Sequence, residues 1–142
     1  MLKNINPIIS PELLKILAEM GHGDELVIGD ANFAAQSLGQ QCVRCDGHSA
    51  VSLMDAILEL LPLDTFVDSP VILMQPAPGV IDGDPPVWKK YRKVVDDHQG
   101  NVKLSSISVE DFYERTKKAY ATVATAEREF YACVILRKGV IA

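Results

Sequence analysis

No stretch of the 142-residue chain approaches the ~18 to 20 consecutive apolar residues that a bilayer-spanning helix needs. Its opening, MLKNINPIIS, lacks the apolar core of a secretory signal, so the expectation is a cytoplasmic protein without a membrane partner. Positive charge is scarce: 14 Lys and Arg against 19 Asp and Glu give a formal charge of −5, and no basic block is present to track phosphates. That balance argues against nucleic acid as a partner. The three cysteines, Cys42, Cys45 and Cys133, are an odd number in a chain without a secretory signal, which argues against a disulfide framework. There is no G-x-S-x-G, no phosphate-loop pattern and no G-x-G-x-x-G.

What remains is the composition of an ordinary globular protein, 48% hydrophobic and 23% charged, with a length suited to a single domain over residues 1–142. The pattern SPELLKILAEMG predicts a helix: Ser10 caps, Pro11 suits the first turn, Leu13, Leu14, Ile16, Leu17 and Met20 form one stripe, and Gly21 offers a left-handed exit. ELVIG, QCVRC, PVILMQP, NVKLSSI, ATVAT and FYACVILRKG read as strands. Helices are expected after capping boxes at Ser52/Asp55 and Ser108/Asp111, and after Asp84 and Pro85. PAPGVIDGDPP reads as a surface loop. Alternating helices and strands predict an α/β class, a sheet covered on both faces. The last two strands, neighbours in sequence, suggest an antiparallel pair and hence a mixed sheet.

Cys42 and Cys45 have C-x-x-C spacing, but residues three apart on a strand point to opposite faces, so two packed thiols are expected rather than a redox or metal site. The three histidines lack convergent metal-ligand spacing. His48 and His98 are most simply solvated or capping groups. His22 differs because it lies between Gly21 and Gly23 in the link from the first helix to the first strand. The glycines permit a sharp turn and leave space beside a group that titrates near neutrality. Asp30, at the far end of the short strand, is the expected companion in one pocket. The plainer alternative is a helix-capping glycine, an exposed histidine and aspartates that only form turns.

The segments ISPELLKILAEMGHGDELVIGDANF, LLPLDTFVDSP, PVWKKY, FYERTKKAYATVAT and VILRKGV resemble the RbsD/FucU family of sugar mutarotases and pyranases, on its fucose side, over essentially the whole chain. The resemblance implies a three-layer α/β/α fold with a mixed sheet and interconversion of the anomers of a monosaccharide, L-fucose or a related sugar. It further implies a homo-oligomer, a decamer of two pentameric rings, with the pocket completed by a neighbouring copy. His22 would be the catalytic acid/base and Asp30 a sugar ligand, joined by Tyr131, Ala132 and Cys133, where the family has Tyr-Gly-Asn. No metal and no organic cofactor is implied.

The chain also departs from that pattern. Val109 and Glu110 stand where fucose-side relatives typically have Arg-Phe, Ala34 replaces a proline, and Ala132 and Cys133 replace glycine and asparagine. An arginine donor and an amide able to bond a hydroxyl in both directions are thereby absent. A protein that binds a sugar without turning it over is the alternative those departures motivate.

Overall fold

The computed structural model describes residues 1–142, and no helix in it is long and apolar enough to cross a membrane. The elements follow in the order α1 (Pro11–Glu19), β1 (Glu25–Gly29), α2 (Ala35–Leu38), β2 (Cys42–Cys45), α3 (Ala50–Leu58), β3 (Val71–Met74), α4 (Val87–His98), β4 (Leu104–Ile107), α5 (Val109–Lys118), β5 (Ala121–Thr125) and β6 (Val134–Arg137). They build one six-stranded sheet of order β2-β5-β1-β6-β3-β4. Pairs β2·β5, β5·β1 and β3·β4 are parallel, while β6 runs antiparallel to both β1 and β3.

The mixed sheet is as expected, but not for the expected reason. β5 and β6 are not partners, because β1 lies between them. The run FYACVILRKG is extended only from Val134; before it, Tyr131 has φ +57°, a left-handed turn that no strand accommodates.

Strand alternation sorts the core into two layers. Leu26, Ile28, Val71, Leu73, Val134 and Leu136 face α1, α3 and α4 in the larger cluster. Val27, Ile72, Met74 and Ile135 face the other way, with Phe112 of α5, in the smaller one. The result is the expected three-layer α/β/α arrangement. Every strand residue of β3 and β5 is buried, as a sheet covered on both faces requires. Val43 and Cys45 belong to the larger core, so Cys42 points to the opposite face, and burial pushes the Cys45 thiol up to about 11.

Helix starts obey side-chain capping where a hydroxyl is available. Ser10 Oγ accepts from Leu13 N–H at 3.1 Å, and Ser108 Oγ from Asp111 N–H at 3.1 Å. Two starts differ from expectation. α3 begins one turn earlier, capped by Ser49, whose Oγ accepts from Ser52 N–H at 3.1 Å. Asp55 instead bonds His98 Nε2 at 2.7 Å, tying α3 to α4, so His98 is a cross-link rather than a cap. At α4 the position before the helix is Pro86, already helical, and Asp84 makes no capping bond. The four-residue α2, on the α5 side of the sheet, has no apolar stripe long enough to be read from sequence.

Candidate functional site

The helix-to-strand link around His22 is closed by its own residues. α1 ends on Met20 in extended backbone, and Gly21 N–H donates to Asp24 Oδ2 at 2.7 Å. The left-handed position is therefore Gly23, with φ +87°, and not Gly21. A Cβ on Gly23 would lie 3.1 Å from Arg137 Nη2, so glycine there serves both the turn and the close approach of the guanidinium. Gly23 N–H donates to Lys138 O at 2.8 Å, fixing the loop onto the end of β6.

His22 is then presented on the surface, its side chain 44% exposed, with Nε2 3.1 Å from Asp64 Oδ1. Asp64 is 1% exposed, and both its carboxylate oxygens are hydrogen-bonded. Oδ1 also accepts from Phe66 N–H at 3.0 Å, and Oδ2 accepts from Arg137 Nε at 3.0 Å. Burial alone would raise the Asp64 pKa, but the Phe66 N–H, the Arg137 guanidinium and His22 together hold it below its ordinary 3.8. The exposed Phe66 ring leans over the imidazole, centroids 5.3 Å apart at 52°. Gly139 allows this frame to close, since a Cβ there would meet Leu63 O at 2.6 Å.

A carboxylate held down in this way stabilises the fold in a defined pH window. Its contribution is fully present above the unfolded-state value near 3.8 and is lost as pH falls through the lower folded-state value. The difference in urea midpoint between the wild type and Asp64→Asn is accordingly expected to shrink as the pH is taken below about 4. A difference that stays constant down to the acid transition would contradict the assignment.

Asp30, Tyr131, Ala132 and Cys133 form a second group. Asp30 follows β1, and its N–H points at Cys133 Sγ, 3.5 Å away, while Oδ1 accepts from Asn32 N–H at 2.9 Å. The Tyr131 hydroxyl accepts from Ala77 N–H at 3.2 Å, and its carbonyl accepts from Trp88 Nε1–H at 3.3 Å. Ala132 is fully buried, and its carbonyl accepts from the Tyr91 hydroxyl at 2.5 Å. Burial pushes the Tyr91 hydroxyl well above its ordinary pKa, so it stays a donor. Burial, reinforced by the charge of Asp30, does the same to the Cys133 thiol, which is 1% exposed and packed in the smaller core. Nearby, Val109 and Glu110 line a cleft of about 240 Å³ with Gln75, Pro76, Ala77, Pro78 and Ser108. Any ligand there meets no arginine from position 109.

These residues sit at the carboxyl ends of β1, β3 and β4, where ligands of open α/β sheets collect. His22 sits at the other end of β1. The expectation that Asp30 and His22 share one pocket within the chain is overturned: the five residues of β1 separate them by roughly 17 Å of extended backbone. Asp64, Phe66 and Arg137 around His22, and Trp88 and Tyr91 behind Tyr131, were not picked out by sequence reasoning. Asp64 and Arg137 do lie in two of the stretches that carried the resemblance, PLDT and VILRKGV.

Among the described residues no group of three or more His, Cys, Asp or Glu is placed to hold a metal ion. The arrangement offers acid/base chemistry at one end of the sheet and polar anchoring at the other.

Known proteins resemble the chain over nearly their whole length. The chain is 49% identical over 142 residues to the L-fucose mutarotase of Histophilus somni (strain 2336), covering 99% of this chain and 97% of that one. It is 46% identical over 147 residues to the fucose mutarotase of Homo sapiens, with coverage of 99% and 95%. The crystal structure of the fucose mutarotase from Streptococcus pneumoniae in complex with L-fucose superposes with a TM-score of 0.94 at 48% identity, covering 99% of this chain and all of that one. With residues 3 to 141 matching its pattern, the chain belongs to the RbsD / FucU transport protein family.

Proposed function

We propose that the protein is a sugar mutarotase, an isomerase that interconverts the anomers of L-fucose or a related monosaccharide in the cytoplasm. The observation that carries this is an exposed imidazole oriented by a buried carboxylate, in a chain nearly half identical to L-fucose mutarotases over its full length. Mutarotation opens the ring: the bond between C1 and the ring oxygen breaks, its electron pair goes to that oxygen, and the anomeric hydroxyl becomes a carbonyl. A proton must leave the anomeric oxygen and one must reach the ring oxygen. His22 takes the first and supplies the second, and closure after rotation about C1–C2 reverses both transfers. The reaction uses no redox step.

Asp30 and Tyr131 hold the sugar hydroxyls. Ala132 and Cys133, both buried, shape the backbone of the pocket rather than bond the sugar through their side chains. Because the His22 and Asp30 ends of one chain are apart, the working site brings the His22 end of one copy against the Asp30 end of the next. A ring of five copies, two rings to a decamer, supplies such contacts. The sugar-binding alternative is less well supported, since the substitutions at 109, 132 and 133 leave the His22–Asp64 pair whole.

The test is magnetisation exchange between the two anomeric proton signals of L-fucose, with and without protein. Faster exchange with catalytic amounts of protein is expected. A binding signal from the sugar without any change in exchange rate would replace the enzyme by a binder.

A further inference from the structure

We propose that Asp64, held by Arg137, is the positioning residue that fixes His22 as its Nε2–H tautomer and leaves Nδ1 as the nitrogen that takes the anomeric proton. The inference rests on the mutarotase reading for the identity of that proton, but the orientation of the ring follows from the local hydrogen bonds.

An ionised carboxylate only accepts. Asp64 Oδ1 lies 3.1 Å from His22 Nε2 and 3.0 Å from the Phe66 nitrogen, while Oδ2 receives Arg137 Nε at 3.0 Å. With Asp64 ionised, neutral His22 must carry its proton on Nε2, and Nδ1, which has no partner in the chain, keeps its lone pair. The partners assign the tautomer.

Three features make this more than an incidental contact. Asp64 is 1% exposed and also bonded through its own backbone, its N–H donating to Arg137 O at 3.1 Å, so it cannot swing away. Arg137 supplies the positive charge that keeps a buried carboxylate ionised beside the imidazole. Phe66, itself 73% exposed, packs against the ring with centroids 5.3 Å apart and planes tilted by 52°, while the imidazole side chain stays 44% exposed. When Nδ1 accepts a proton, the imidazolium forms against a carboxylate already in place, and no group has to reorganise.

Two measurements test it. Long-range proton–nitrogen correlation of histidine-labelled wild-type protein, at a pH where the ring is neutral, is expected to show His22 protonated on Nε2, the signal assigned by its loss in His22→Gln. Asp64→Asn is expected to lower kcat for anomer exchange by about 10²-fold with KM unchanged, and to give a mixture of tautomers. A merely structural ion pair would instead lower the Tm and leave the kcat of the folded fraction alone. The tautomer measurement does not depend on Asp64→Asn, so it decides the matter even if that variant fails to fold. Active wild-type protein with an Nδ1–H ring, or a folded Asp64→Asn with undiminished kcat, would overturn the positioning role alone. Wild-type protein that accelerates no sugar would overturn the mutarotase reading and the Nδ1 assignment with it, whatever the tautomer.

Discussion

His22→Ala is expected to reduce protein-catalysed exchange between the anomers of L-fucose by about 10² to 10⁴-fold, the range supplied by one positioned acid/base group. The loss should appear in kcat, because in the proposed site the sugar would be held by Asp30 and Tyr131, which the substitution does not touch. Folding should survive. The imidazole is 44% exposed, so little apolar burial is lost. Asp64 keeps two of its three donors, Phe66 N–H and Arg137 Nε. Loss of one hydrogen bond to a charged acceptor costs about 1.5 to 3 kcal/mol, less at a partly exposed site. The check is a matched pair of experiments: exchange rates from the anomeric proton signals, and a urea transition showing that the variant is folded. Exchange at the wild-type rate in folded His22→Ala would place the chemistry on another group.

The fold was legible in the sequence wherever local chemistry decides it. Ser10 and Ser108 cap as their spacing requires, and the apolar runs ELVIG, VILM and ATVAT became strands because a sheet covered on both faces admits nothing else. What failed depended on long-range partners. Neighbouring strands in sequence suggested β5 pairing with β6, but the pairing preference of β1 for both is a property of the assembled sheet. The Ser52/Asp55 spacing looked like a capping box, yet Ser49 stood one turn earlier and Asp55 found His98 across the helix interface.

The site divides in the same way. Glycines around His22 announced an unusual backbone, and Gly23 indeed takes the positive φ. That Asp64 would be buried against His22 had no local signal, since 42 residues separate them and aspartate after PL reads as a turn. The substitution of Asn by Cys at 133 was visible, but not that the thiol would turn inward to the core beneath Asp30. Pairing partners and burial are decided by the whole fold, and a linear pattern carries them only through motifs such as PLDT that are recognised rather than derived.

Mixing two impaired variants is expected to restore activity, and this is the sharpest consequence of where β1 puts its ends. His22 precedes the strand and Asp30 follows it, so roughly 17 Å of backbone keeps them apart in every copy. No rotamer of either side chain spans that distance. If both residues serve one reaction, as proposed, a productive site needs His22 from one copy and Asp30 from another, a head-to-tail contact of the kind that closes into rings. Asp30→Asn is expected to weaken sugar capture by about 10 to 100-fold, the value of a hydrogen bond to a charged acceptor, and His22→Ala to remove the chemistry. When the two are mixed in equal amounts and allowed to exchange subunits, random assortment places an intact His22 against an intact Asp30 in about one site in four. Measured with sugar well below KM, activity should therefore rise to about a quarter of wild type, against about a tenth to a hundredth for Asp30→Asn alone and less for His22→Ala. If pooling leaves activity at the sum of the two separate variants, although mass spectrometry of differently labelled subunits shows that they have exchanged, the two ends do not meet across an interface, and Asp30 has no part in the reaction at His22.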